Sequence, residues 1–478
     1  MTATRKIKKV LVANRGEVAT RIIRACKELG IKTVAIYSEA DANGIWVKKA
    51  DEAYMITGDP IKAYLNYYKI VDLAKQARCD AIHPGYGFLS ENADFAEYCE
   101  EKGVIFIGPK PEHIRLFGDK IASKRAMREV GVPVLPGTLE PITDVEEGKK
   151  IAKEIGFPVI IKAAFGGGGR GMRIVEKEED FERLFKSATS EAEKFFGRGD
   201  VFIEKYIKNP RHIEIQILAD KYGNVIHLGE RDCSIQRRHQ KVVEIAPSPR
   251  LNNEVRRELY RVAVKSMFKL GYESAGTLEF LVDEDDNFYF IEMNTRLQVE
   301  HTITETITGI DIVQRMIQIA EGHKLPFLQE DIIFRGYAIE FRINAEDPTK
   351  DFAPSPGKIT SYYSPGGPGV RIDATVYKDY IIPPYYDSMI AKLTVWALTW
   401  EQTVNRAKRA LEEFQVRGVP TNLPLLRQLV RDPEFIEGKF DTGYLDRKLK
   451  EFKISTKETN PEDLATAIAA AIAAYHRI

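Results

Sequence analysis

Residues 277–301 read T-L-E-F-L-V-D-E-D-D-N-F-Y-F-I-E-M-N-T-R-L-Q-V-E-H, and no other stretch constrains the fold as tightly. Two apolar runs, 278–282 and 288–293, flank the acidic turn 283–287, the pattern of a β-hairpin. With the turn centred between Asp285 and Asp286, register counting places Glu279 opposite Glu292. Side chains alternate along a strand, so Phe288, Phe290, Glu292 and Asn294 are expected to share one face. Two carboxylates facing each other across a ladder repel, and phenylalanines beside them would keep water out. A cation between the glutamates resolves the conflict. Two Glu and one Asn offer hard oxygen ligands, which suit magnesium or manganese beside substrate phosphates. A dense polar run follows at once, with Arg296, Gln298, Glu300 and His301. The competing reading is an acidic hairpin edge in solvent, although Glu is depleted inside strands.

A chain of 478 residues suggests about three domains. Lys plus Arg and Asp plus Glu both number 70, so net charge gives no argument for nucleic acid or an anionic membrane. No apolar run reaches the roughly 18 residues that span a bilayer. The N-terminus leads from a few basic residues straight into an apolar strand, without the core of a signal peptide. Cys26, Cys79, Cys99 and Cys233 have no C-x-x-C spacing and read as reduced thiols. The expectation is a cytoplasmic protein.

A strand over 9–13, a helix over 17–29 closed by Gly30 and a strand over 33–37 open the chain as a βαβ unit, so the first sheet is parallel. Its first turn, Ala13-Asn14-Arg15-Gly16-Glu17, carries one glycine and lacks the dinucleotide fingerprint. Further on, a strand over 157–162 ends at Lys162 and runs into Gly166-Gly167-Gly168-Gly169-Arg170-Gly171. A strand rather than a helix follows from Met172, and no G-K-[ST] is present, so neither the Rossmann nor the Walker A reading holds. What remains is a glycine hairpin able to close its N–H groups over phosphates, or a mobile surface turn. Residues 212–217 alternate, with His212, Glu214 and Gln216 on one face and isoleucines on the other. Residues 230–241 form a basic run, solvated or anion-holding.

These motifs together resemble one family. Asn14–Glu17, His83-Pro84-Gly85-Tyr86-Gly87-Phe88-Leu89-Ser90-Glu91-Asn92, the glycine loop, the 230–241 run, Glu292-Met293-Asn294-Thr295-Arg296 and Gln298-Val299-Glu300-His301 are similar to those of biotin carboxylase, an ATP-grasp enzyme. Segments 342–348, 353–357 and 384–389 extend the resemblance over about 1–447. It implies an α/β protein. A Rossmann-like N-terminal domain (1–114) precedes an ATP-grasp domain (115–330) with a mobile glycine-loop lid (about 134–206). A mixed α+β C-terminal domain (331–447) and a linker with a helical tail (448–478) follow.

The resemblance also implies two partial reactions: ATP phosphorylates bicarbonate to carboxyphosphate, and the carbon dioxide released carboxylates biotin. It assigns ATP to Lys120, Lys162, Gly167, Gly168, Gly169, Met172, Glu204, Lys205, Tyr206, His212, Gln236 and His239. Glu279, Glu292 and Asn294 become the metal ligands, and Lys241, Arg296, Gln298 and Val299 the bicarbonate pocket. Glu300 becomes the general base, and Arg342 the cation that stabilises the enolate of biotin. Read locally, Arg342 would be a salt-bridge partner of Glu340, two positions away on the same face. Three positions depart from the family pattern: Phe165 before the glycines, Thr302 for a proline and Phe341 for a small residue; altered flexibility or packing is expected.

No Met-Lys-Met biotinylation context is present, so biotin is expected on a separate carrier protein, or on a subunit bearing biotinyl and carboxyltransferase domains. A homodimer is expected, and residues 461–475, alanine-rich with Leu464, Ile468, Ile472 and Tyr475 on one side, are a candidate docking helix. The parent reading is a pyruvate carboxylase subunit, with acetyl-CoA or 2-oxoglutarate as other acceptors. The rivals are a different ATP-grasp acid–amine ligase and a non-catalytic nucleotide-binding subunit.

Overall fold

The computed structural model describes residues 5–163, 172–196 and 199–454, with Ala469 and Tyr475. The glycine loop 166–171 with Phe165, and the tail run 461–475 apart from those two positions, lie outside the described residues.

The N-terminal part is a five-stranded parallel sheet. Its order is Glu52–Met55, Lys32–Tyr37, Lys9–Val12, Ala81–His83, Ile105–Phe106. Buried on both faces, its central strands are nearly continuous apolar runs. Helix Gly16–Glu28 crosses between the first two strands, burying Val18, Ile22 and Cys26 as their spacing predicts. The two loop motifs of this part meet. Asn14 Nδ2 donates to the carbonyls of Pro84 and Tyr86, both at 2.7 Å. Gly85 between them has φ +66° and lies so close that a Cβ would sit 3.0 Å from that amide nitrogen. All four cysteines are free and buried.

The site is built on an eight-stranded antiparallel sheet. Its order is Phe288–Asn294, Ser274–Val282, Arg211–Ala219, Val225–Arg237, Gln240–Ala246, Tyr337–Asn344, Met389–Ala397, Val370–Ala374. Ile213, Ile215, Ile217, Leu278 and Phe280 pack under helix Asn253–Lys269 in one core. Ile339, Phe341, Ile343 and Leu393 form part of a second core. Polar residues on the opposite face of the same strands line the site. A smaller antiparallel sheet, Met172–Val175, Val159–Ala163 and Val201–Lys205, carries Lys162 and Glu204. No helix among the described residues is long and apolar enough to cross a membrane.

Candidate active site

The hairpin pairs Glu279 with Glu292, but not along the expected path. Val282, Leu281 and Phe280 pair with Phe288, Tyr289 and Phe290, which centres the turn on Asp285. The register shifts between Glu279 and Phe280, where Ile291 is the extra residue of a β-bulge, and the shift restores the Glu279–Glu292 match. The bulge corrects the predicted face. Phe288 and Phe290 pack edge-on against Phe280 in the core with Met293, whereas Glu292 and Asn294 lie on the site face. Phe290 is held in the core register by its N–H, which donates to the Pro133 carbonyl at 2.8 Å. The phenylalanines therefore do not dry the site.

The centre is a buried cluster in which one lysine faces three glutamates. Lys241 pairs with Glu214 and lies 3.0 Å from Glu279 and 2.9 Å from Glu300. Glu214 and Glu300 are fully buried. Burial alone would push the Glu300 carboxyl up, but Lys241, Arg342 and Arg231 outweigh it and hold Glu300 well below the ordinary carboxylate range. Glu279 is held low in the same way, by Lys241 and His212 against burial. Glu214 goes the other way: burial, aided by Glu300 and Glu279, pushes it to about 8 despite Lys241 and Arg231. Like charges cannot all be ionised in so small a space, so one carboxyl of the cluster takes the proton.

Two arginines flank this cluster. Arg342 reaches Glu244 at 2.6 Å and Glu300 at 3.0 Å. Its partners are thus Glu244 and Glu300, and the local expectation of a pair with Glu340 is not met, because Glu340 takes its hydrogen bond from Thr302. Arg296 donates to Asn294 Oδ1 at 2.5 Å, to Gln298 Oε1 at 2.9 Å and to Glu91 at 2.8 Å. Gln298 and Asn294 in turn donate to Glu279, at 3.1 and 2.7 Å. Val299 presents its carbonyl to Lys392.

Residues assigned to the nucleotide fall into separate groups. His212 lies 2.7 Å from Glu279 through Nε2 and 2.7 Å from the Gln236 amide through Nδ1, which joins both to the cluster. Lys162 and Lys124 both bind Glu204, the first at 2.5 Å, and together they lower its carboxyl to about 2 against the effect of burial. Met172 pairs with Lys162 across the small sheet. Lys205 turns its ammonium to the carbonyls of Gly156 and Phe157, and the Tyr206 N–H donates to the Pro158 carbonyl. Lys120, exposed at the start of helix Lys120–Glu129, acts electrostatically on Glu292. His239 is exposed in a left-handed turn between two site strands.

The residues present fit a divalent metal. Burial, then repulsion from Glu279, pushes the Glu292 carboxyl up, while Lys120, His212 and Lys241 oppose the shift, so a cation placed between the two glutamates would relieve that repulsion. Two carboxylates and an amide oxygen are magnesium-type donors. The sequence reading missed Glu91, Lys124, Glu244 and Lys392 as partners. A lone charge inside an apolar strand, as in V-V-E-I-A and A-K-L-T-V, is the signal that marks the last two.

Family comparisons match the biotin carboxylase N-terminal domain over residues 6–114 and the biotin carboxylase C-terminal domain over 340–447. Between them, the carbamoyl-phosphate synthase L chain ATP-binding domain matches over 119–328. The 2-oxoglutarate carboxylase small subunit of Hydrogenobacter thermophilus is 57% identical over 469 residues, 98% of this chain and 99% of that protein. One pyruvate carboxylase subunit of Methanothermobacter thermautotrophicus is 52% identical over 456 residues, 95% of this chain and 93% of that one. A crystal structure of the biotin carboxylase domain dimer of the Hydrogenobacter 2-oxoglutarate carboxylase, with MgADP, ADP and bicarbonate, superimposes with a TM-score of 0.89. It is 58% identical and covers 94% of this chain and 100% of its own. With matches to three successive domains and relatives along nearly its whole length, the chain belongs to the biotin carboxylase family, and its reaction is the ATP- and bicarbonate-dependent carboxylation of biotin.

Proposed function

We propose that this chain is the biotin-carboxylating component of a two-subunit 2-oxo acid carboxylase, acting on biotin carried by a partner with biotinyl and carboxyltransferase domains. Near full-length matches to the small subunit of a 2-oxoglutarate carboxylase and to a subunit of a pyruvate carboxylase support this reading over acetyl-CoA carboxylase. A homodimer is part of the proposal, supported by the dimer of the similar crystal structure. The division 1–114, 115–330, 331–447 is supported by the extents of the three family matches. Reconstituting the chain with each candidate large subunit and measuring labelled bicarbonate fixed into pyruvate, 2-oxoglutarate or acetyl-CoA tests it. Fixation into acetyl-CoA alone would overturn it.

The mechanism rests on one observation, the shared contact of Lys241 and Arg342 with Glu300. Bicarbonate enters beside Arg296, Gln298 and Lys241, whose donors meet its oxygens. An entering anion competes for Lys241 and Arg342, so Glu300 loses cation contact and its basicity rises as substrate binds. Glu300 then takes the bicarbonate proton while a bicarbonate oxygen attacks the γ-phosphorus of ATP, giving carboxyphosphate and ADP. Lys120 and Lys162 neutralise the phosphates, with Lys162 exchanging Glu204 for phosphate oxygen. Glu279, Glu292 and Asn294 would hold the metal, which when bound offsets phosphate charge. Carboxyphosphate breaks down to carbon dioxide and phosphate, and the released phosphate takes the ureido N–H proton of biotin. The ureido nitrogen then attacks the carbon dioxide, and Arg342 stabilises the developing ureido oxyanion. Glu300→Gln and Arg342→Ala test these roles. Glu300→Gln is expected to lose at least about 10²-fold in bicarbonate-dependent ADP release. Arg342→Ala is expected to keep that bicarbonate-dependent hydrolysis but lose biotin carboxylation.

A further inference from the structure

Directly behind Glu300, three distant parts of the chain converge on a lysine that the mechanism above does not use. Lys392 lies on the Met389–Ala397 strand and is fully buried. Its Nζ donates to the carbonyl of Val299, the residue before Glu300, at 2.7 Å. On its other side it meets Glu17, in the first turn of helix Gly16–Glu28, at 3.3 Å. Glu17 is itself buried, and neither of its oxygens takes a hydrogen bond from a described residue. Charged groups around the ammonium also include Glu340 and Arg342 on the neighbouring strand to one side, Arg342 lying opposite Lys392 in the register. Asp373 and Arg371 are on the strand to the other side, with His301 on the helix side.

We propose that Lys392 is a positioning residue for the general base, fixing the Val299–Glu300 peptide against both the N-terminal and the C-terminal parts of the molecule. This rests on the reading of Glu300 as the base. A buried charge is an expensive filler, since apolar side chains of similar volume stabilise a core at least as well. What the ammonium adds here is a charge-assisted bond to one particular backbone carbonyl. That carbonyl belongs to the peptide from which Glu300 is suspended, so the bond sets where the carboxylate stands relative to bicarbonate. Displacing a reacting group by about 1 Å lowers turnover on the order of 10²-fold. Lys392 touches neither the nucleotide residues nor the Glu279–Glu292 pair, so its loss acts on turnover and spares nucleotide binding.

Lys392→Met, Lys392→Gln and Glu300→Gln, compared with wild type, test this through bicarbonate-dependent ADP release and the affinity for a fluorescent ADP analogue. Lys392→Met is expected to lose about 20-fold or more in kcat while ADP affinity changes less than about threefold. Lys392→Gln keeps an N–H donor for the Val299 carbonyl, and is expected to lose only about three- to tenfold, again without loss of ADP affinity. A folded Lys392→Met with kcat within about twofold of wild type, or a glutamine variant no better than methionine, overturns the proposal. Should the methionine variant fail to fold, the glutamine variant decides: kcat within about twofold of wild type, or an equal loss of ADP affinity, overturns it. If Glu300→Gln retains turnover, the base reading itself falls. If only Glu300→Gln is inactive, the anchoring role alone falls.

Discussion

Replacing Lys241 with methionine removes one cation from a cluster of three buried carboxylates. Its ammonium contacts Glu214 and lies 3.0 Å from Glu279 and 2.9 Å from Glu300. Methionine preserves most of the stem, so the change is mainly electrostatic. Leaving those carboxylates ionised without their cation costs about 3–5 kcal/mol, which a carboxyl escapes by taking a proton. Glu214 shows the value a carboxyl reaches here when burial prevails, about 8. If Glu300 rises as far, about one tenth of it is ionised at pH 7, since each pKa unit is a factor of ten. Bicarbonate-dependent ADP release should therefore fall about tenfold or more at pH 7 and recover part of that loss by about pH 9. In the wild type Glu300 is held well below the ordinary carboxylate range before bicarbonate binds, so it sets no acid limb near neutrality in kcat/KM, which reports the free site. The measurement is the pH profile of kcat/KM for bicarbonate at saturating ATP, with circular dichroism to verify the fold. A Lys241→Met profile that matches the wild-type shape after scaling would refute the reasoning, because the cation would then not control the ionisation of the base.

Glu91→Gln weakens the hold on Arg296, but the Glu91 side chain is 41% exposed and the pair is screened. The bicarbonate KM should rise no more than about fivefold, and a hundredfold rise in steady-state kinetics would contradict that estimate. Thr302→Pro removes the hydroxyl that donates to buried Glu340, while proline itself is tolerated in the first turn of helix His301–Thr308. Urea denaturation near pH 7 should show a loss of about 1–3 kcal/mol, with ADP affinity intact. Burial raises Glu340 to about 7, above its unfolded value, so its contribution is full below about pH 4.5 and is lost as pH rises through 7. Glu340→Gln mimics the protonated form. Its stability relative to wild type should improve by up to about 3 kcal/mol between pH 5 and pH 8, at about 1.4 kcal/mol per pKa unit, and a difference that does not change with pH would count against it.

The legible part of the site was the part written in local patterns. Alternation along 212–217 places His212, Glu214 and Gln216 on the site face, where His212 and Glu214 meet Glu279 and Lys241. The opposition of Glu279 and Glu292 was likewise readable from the hairpin. The face of the phenylalanines was not, because Phe290 bonds a carbonyl at residue 133, more than 150 positions earlier, and the bulge follows from that tertiary contact. Arg342 shows the same limit from the electrostatic side. Spacing offers it Glu340, whereas the fold brings it Glu244 from 98 residues away and Glu300 from 42. Packing of Thr302 against Glu340 and Thr394 shows that this departure from the family pattern is absorbed into the buried polar face of two strands.

The eight-stranded sheet runs without interruption from the 288–294 hairpin strand to the 370–374 strand, crossing the point where two family matches part. Strand Gln240–Ala246 is bonded on one side to Val225–Arg237 and on the other to Tyr337–Asn344. A polypeptide cut near residue 330 would bare that second side as a raw edge, with its backbone donors and acceptors open to any passing strand. The same strand carries Lys241 and Glu244. The halves of this enzyme are separable as units of sequence but not as pieces of material, and a fragment made by such a cut should aggregate before it can be assayed.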